Sequence, residues 1–203
     1  MRKLLTTFLI LFISNVFAQV VNETTKTKDE YRNKGYFNIT KIGYVAIHNL
    51  KREIFIPGEG NFYSEPDASD AYAWSLQTIN GYFISPFFSL GIGVGLDGYH
   101  KPTYNTLPVF IDLRAYLSDE EDSFYAFLDI GPTLRIDGDN SQLRKGILFN
   151  IGLGCKYNIS NGLYLISDLF FSHKTVSLTD EGIKTSNDII RANGIGLSLG
   201  IIF

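Results

Sequence analysis

Four charged side chains in the middle of the chain carry most of the chemistry the sequence offers. Asp112 and Arg114 lie two residues apart in Leu107-Pro-Val-Phe-Ile-Asp-Leu-Arg114, Asp129 sits in Phe124-Tyr-Ala-Phe-Leu-Asp-Ile130, and Lys156 ends the run Phe149-Asn-Ile-Gly-Leu-Gly-Cys-Lys156. Aliphatic residues alternate with these charges, so in an extended chain the two classes fall on opposite faces. If the first two runs pair across the Asp119–Asp122 turn, Asp112 can face Asp129 with Arg114 one diagonal step away. Two carboxylates beside a guanidinium offer either acid–base chemistry or a shared ion pair. Unpaired charge in a low dielectric is costly, so the expected role is structural: one Arg shared by two carboxylates, with Lys156, Asp168, Asp97 and Arg135 extending the network.

The remaining candidates are weaker. His48, His100 and His173 are scattered, with no H-x-E or H-x-x-x-H spacing, so neither a metal site nor a cofactor is expected. Ser172-His173 matches in residue type the Ser/His pairs of outer-membrane lipid hydrolases. Such a pair needs both side chains on one strand face, whereas adjacent residues point to opposite faces. Gly91-Ile-Gly93-Val-Gly95 lies inside an alternating run with no helix after it, which excludes a nucleotide loop. Asp137-Gly-Asp139-Asn-Ser141 starts like a calcium loop but lacks the central Gly and terminal Glu, and reads as a turn. Cys155, the single cysteine, behaves as a small hydrophobe and leaves no disulfide to form.

The elements that position these residues are strands. Nineteen glycines, twelve tyrosines and sixteen phenylalanines in 203 residues point to a β-rich chain. Residues 1–18 read as a signal peptide, with Arg2 and Lys3 before an apolar stretch and Val16-Phe17-Ala18 as the cleavage site. Its loss takes the 18 basic residues to 16 against 21 acidic ones, a charge of -5, which argues against nucleic-acid binding. Residues 19–34 are polar and read as a flexible lead-in. From 35 to 203 the chain divides into eight strands, near 36–48, 71–83, 87–99, 106–118, 124–136, 145–158, 163–175 and 189–203. Links at 84–86, 119–123 and 159–162 are hairpin-sized, while 49–70, 100–105, 137–144 and 176–188 read as longer loops. Alternation is clear in the third to sixth strands and the eighth. The first, second and seventh do not declare their phase.

Alternation alone does not say which face meets water. A soluble periplasmic carrier has its apolar face inside; a membrane barrel has it outside. The glycines share a face with the charges, where a narrow interior needs small residues beside large ones such as Arg114, while the other face is uniformly Leu, Ile, Val and Phe. Aromatics also gather at strand ends: Phe83, Phe87, Phe88, Tyr116, Phe124, Tyr125, Tyr157 and Tyr164 near the short turns, Tyr72, Trp74, Tyr99 and Tyr104 near the long loops. The reading is an all-β, eight-stranded antiparallel up-and-down transmembrane β-barrel with a packed polar interior and no aqueous pore.

The stretch Ser75-Leu-Gln-Thr-Ile-Asn-Gly-Tyr-Phe-Ile-Ser-Pro-Phe-Phe-Ser-Leu-Gly-Ile-Gly-Val-Gly-Leu-Asp-Gly-Tyr99, followed by Leu107–Arg114, resembles the OmpA/OmpX-like outer-membrane β-barrel family of Gram-negative bacteria. Ile195-Gly-Leu-Ser-Leu-Gly-Ile-Ile-Phe203 is similar to the last-strand signal read by the barrel-assembly machinery, with Phe203 as its terminal residue. The resemblance implies an outer-membrane location, lipid and the assembly machinery as partners, a monomer, and a structural or surface-recognition role exerted through the loops. It implies no catalytic residue and no particular extracellular ligand. A lipid-modifying outer-membrane enzyme and the soluble carrier are the alternatives.

Overall fold

In the computed structural model residues 32–136, 144–160, 162–177 and 187–203 are described. The signal peptide, most of the lead-in, the Asp137–Ser141 turn and most of the link at 176–188 lie outside them. Nine strands form one antiparallel sheet: β1 (Gly35–Ile56), β2 (Gly60–Ser64), β3 (Tyr72–Ser85), β4 (Phe88–His100), β5 (Tyr104–Tyr116), β6 (Ser123–Arg135), β7 (Arg144–Ser160), β8 (Leu163–Ser177) and β9 (Asn187–Ile202). Neighbours in sequence are neighbours in space from β3 to β9, and β1 pairs with β9 to close an eight-stranded barrel. Closure removes the unpaired edges that hydrocarbon does not tolerate.

The apolar flank is outside. Val109, Ile151 and Leu199 are 37%, 50% and 57% exposed, whereas Asp112, Arg114 and Lys156 are at 0%, 1% and 2%. That pattern excludes the inverted, carrier-like arrangement. Asp112 pairs with Asp129 in the β5–β6 register, and β7 and β9 carry their glycines inward with the polar residues.

Interior glycines make room for aromatic rings rather than for Arg114. A Cβ on Gly81 lies 2.2 Å from the Phe37 ring, one on Gly93 lies 2.3 Å from Phe110, and one on Gly196 lies 2.3 Å from Phe170. Gly152 likewise meets Phe170 and the Leu169 carbonyl. Each ring occupies the space a side chain would take on a neighbouring strand, which is how a narrow barrel fills its centre without voids.

Two expectations about the links change. The segment 49–70 is not a loop: β1 runs on to Ile56, turns at Pro57-Gly58-Glu59 and returns as β2, with Arg52 opposite Ser64 and Ile56 opposite Gly60. The same stretch of β1 pairs with β9, Arg52 opposite Ile190, so a three-stranded tongue β2-β1-β9 stands above the rim. The link at 100–105 shrinks to Lys101-Pro102-Thr103 because β4 and β5 pair up to Tyr99 and Tyr104. Alternating Phe55/Phe62/Tyr63-type residues and β-branched Ile54 and Ile56 favour strand over loop, and Gly58 and Gly60, both at positive φ, make the turn.

The lead-in ends in an anchor. Asn33 is buried at the short-turn end, where its N–H donates to Asp119 Oδ1 at 2.7 Å and its Nδ2 donates to the Pro86 carbonyl at 2.9 Å.

Candidate functional site

The interior is a column of charged side chains separated by aromatic rings. Its lowest tier, at the short turns, holds Lys156. Its ammonium donates to Asn33 Oδ1 at 2.6 Å and lies 4.8 Å over the Tyr164 ring and 5.5 Å over that of Tyr116.

The middle tier contains the other three residues singled out by sequence. Arg114 binds Asp112 in a forked geometry, Nε to Oδ1 at 3.0 Å and Nη2 to Oδ2 at 3.0 Å, and its guanidinium lies 4.9 Å over the Tyr125 ring. Such planar pairing combines charge with direction. Asp129 is satisfied by different groups: Lys41 Nζ at 3.8 Å and Asn150 Nδ2 donating at 3.3 Å. The Arg expected to be shared by two carboxylates is therefore bound by Asp112 alone, because Lys41 from β1 reaches the carboxylates from across the barrel. Lys41 also pairs with Asp168 at 3.2 Å, and Asp168 accepts from Tyr125 Oη at 2.5 Å and Ser198 Oγ at 2.8 Å.

The upper tier is separate. Lys174 Nζ lies 2.6 Å from Asp97 Oδ2, which also accepts from Thr106 Oγ1 at 3.2 Å. Tyr99 and Tyr104 stack above it with centroids 4.3 Å apart. Asp168 thus joins Asp112, Arg114 and Asp129, while Lys156 and Asp97 belong to tiers of their own. Arg135 lies at the upper end of β6, opposite Thr106 of β5.

Sequence reading missed Lys41 and Lys174. Both sit on strands whose phase it does not declare. On β1 the inward side is Phe37, Ile39, Lys41, Gly43, Val45 and Ile47, so the buried face is the more apolar one and Lys41 looks like an interruption.

Above the rim, the tongue carries a groove of about 210 Å³ lined by Lys51, Arg52, Glu53, Tyr63, Ser64, Glu65 and Arg191. Three ion pairs tie the groove and the strands around it together: Lys51–Glu65 at 3.5 Å, Arg191–Glu53 at 2.8 Å and Arg52–Asp188 at 2.6 Å. Phe55, Phe62 and Tyr63 are exposed beside them.

Ser172 and His173 do not meet: Ser172 faces the interior, and His173 faces outward with Nδ1 2.5 Å from Asn193 Oδ1. No group of three or more His, Cys, Asp or Glu residues suited to a metal ion occurs among the described residues. Phe203 closes the barrel seam, its N–H donating to the Asn38 carbonyl at 3.0 Å while Asn38 N–H donates back at 2.8 Å.

No protein-family model matches the sequence, and no curated protein is similar to it in sequence. Solved structures do match. The outer membrane protein OprG from Pseudomonas aeruginosa aligns with a TM-score of 0.54 at 12% identity, over 84% of this chain and 96% of that one. The outer membrane protein AlkL, solved in lipid bilayers, aligns at 0.48 and 18% identity, over 90% and 96%. Neisserial surface protein A aligns at 0.44 and 11%, over 81% and 98%. With its lipid-facing aliphatic band, its closed ladder and its likeness to OprG, this chain has the fold of the small outer-membrane β-barrels.

Proposed function

We propose that this protein is a non-catalytic outer-membrane barrel that acts in recognition at the cell surface through the β2-β1-β9 tongue. The groove of Lys51, Arg52, Glu53, Tyr63 and Arg191 is the observation that carries this reading. Short turns mark the periplasmic end and the tongue the outer one, as in bacterial membrane barrels. The signal peptide directs export and is cleaved after Ala18, and Phe203 closes the strand offered to the assembly machinery. Buried rings and paired charges fill the centre, so no ion current is expected in planar bilayers.

Two measurements test the reading. A glutamyl endopeptidase added to intact cells is expected to cut at Glu59 in the turn of the tongue; protection until the cells are lysed would reverse the orientation. Purified protein in vesicles is expected to bind members of saccharide or peptide arrays, and replacing residues 54–62 by a two-residue turn is expected to abolish that binding while heat-modifiable gel mobility persists. A shortened variant that binds as well as its parent, or a parent that binds nothing, overturns the role.

A further inference from the structure

The outer face of β1 and β3 breaks the rule that the rest of the barrel obeys. Its paired rows, read upward from the short turns, are Tyr36–Tyr82, Asn38–Asn80, Thr40–Thr78, Ile42–Leu76 and Tyr44–Trp74. The two aromatic rows are eight residues apart, and a tilted strand covers roughly 20 Å in that length, most of an apolar band about 25 Å tall. Two of the three rows between them are carboxamides and hydroxyls. The strands beside them turn only aliphatic residues to the same zone, Leu90, Ile92 and Val94 on β4 and Leu199 and Ile201 on β9.

Within one copy this island is only partly satisfied. Asn38 Nδ2 donates to Thr78 Oγ1 at 3.2 Å and Asn80 Oδ1 at 2.9 Å, Thr40 Oγ1 donates to Asn38 Oδ1 at 3.2 Å, and Tyr36 Oη donates to Asn80 Oδ1 at 2.5 Å. Asn80 is exposed, and its NH2 group has no partner among the described residues. Two N–H donors directed to hydrocarbon are costly, because no water is there to receive them.

We propose that this face is where a second copy of the chain docks inside the membrane, about a twofold axis along the membrane normal. Copies inserted by one route share one orientation, so a patch at a given depth always meets itself at that depth. A twofold contact must also be self-complementary. Carboxamides and hydroxyls, each both donor and acceptor and none charged, meet that condition: the Asn80 NH2 of one copy finds the Thr78 hydroxyl oxygen of the other. Ile42, Leu76 and Ile201 around the island keep the seam dry. This departs from the monomer expected from sequence, an expectation formed without the phase of these two strands.

The native cysteine supplies the control. Cys155 is on the lipid side of β7, four strands from β3 in either direction around the ring. In membranes, the Cys155→Ser chain carrying Asn80→Cys is expected to form a covalent dimer with a short bis-maleimide, and the parent bearing only Cys155 is expected to stay monomeric. Monomer from both, equal dimer from both, or an adduct of any other mass overturns the proposal; Thr78→Cys serves if Asn80→Cys does not fold. In a second measurement, Thr78→Val with Asn80→Leu is expected to weaken self-association, read by energy transfer between labels on Cys155, about tenfold or more, with heat-modifiable mobility unchanged. Undiminished association in that variant equally overturns it.

Discussion

β3 and β7 stand opposite each other in the ring and divide their polarity in opposite ways. β7 turns Ile147, Phe149, Ile151, Leu153 and Cys155 to lipid and Asn150, Gly152, Gly154 and Lys156 inward. β3 turns Trp74, Leu76, Thr78, Asn80 and Tyr82 outward and keeps Ala73, Ser75, Gln77, Ile79 and Gly81 inside, and its neighbour β1 buries Phe37, Ile39, Lys41, Val45 and Ile47. A membrane barrel therefore does not need every wall to be apolar outside and polar inside. The β5–β8 side supplies most of the interior charges and rings, and the β1–β3 side supplies one counter-charge, Lys41, to Asp129 and Asp168.

The largest expected effect separates the two contributions to the middle tier. Arg114→Met strips Asp112 of its forked partner, and loss of one member of a buried ion pair costs about 3 to 5 kcal/mol. Lys41→Met leaves Asp168 with its Tyr125 and Ser198 donors and Asp129 with Asn150, so about 1 to 3 kcal/mol is expected. Urea unfolding in detergent, followed by the fluorescence of the single Trp74, measures both. Equal costs would mean that the two walls share the charge evenly, contrary to the geometry.

A second pair of variants probes the rings. Gly81→Val drives a side chain into the Phe37 ring, and such overpacking costs about 1 to 3 kcal/mol. Gly98→Ala has 3.4 Å to its nearest neighbour, Asn105 Oδ1, and is expected to be near neutral in the same assay. A tolerated Gly81→Val would show that the β1–β3 interior is loosely filled.

These contrasts explain what the sequence could and could not disclose. On β4, β5, β6, β7 and β9 the outward residues are mostly aliphatic and the charges and most glycines lie on the other face, so alternation separated the faces, the Gly-and-charge side was read as the interior, and the pairing of Asp112 with Asp129 followed from the length of one turn. On β1 and β3 both faces mix classes, so no alternation survives and neither Lys41 inside nor exposed Asn80, with Asn38 covered beside it, was legible. Lys174 was hidden likewise on β8, where His173 and Thr175 flank it on the outer side. The tongue was misread for a different reason: Pro57, Gly58 and Gly60 belong to one tight turn, but their density gave a whole segment the look of a loop.

Exchanging the outer residues of the two walls is a smaller perturbation with opposite signs. Ile151→Asn places an unpartnered carboxamide in hydrocarbon and is expected to cost about 1 to 3 kcal/mol. Asn80→Ile removes one and is expected to leave the folded monomer unchanged or slightly more stable, since Asn38 keeps its bond to Thr78. If both substitutions destabilise alike in vesicles, the β1–β3 island is a structural necessity of a single barrel and the contrast between the walls loses its meaning.

The smallest effect lies above β3, in the link from the tongue back to the barrel. Asp67 Oδ1 accepts from the Ser69 hydroxyl at 2.6 Å and from the Ser69 N–H at 2.9 Å, and these bonds hold its carboxyl below the usual 3.8. A carboxyl lowered by folding stabilises the fold above its unfolded value, and the contribution fades as pH falls through the folded one. The link is therefore expected to be indifferent to pH from neutrality down to about 4 and to loosen only below that. The Ser69 amide resonance in micelles is expected to titrate with a midpoint under 3.8, and Asp67→Asn to abolish that titration while the β3 amides stay unmoved. A midpoint above that value would mean that the turn is held by its backbone alone. Movement of the β3 amides with it would mean that the polar wall is coupled to the surface link, which no bond between Asp67 and β3 supports.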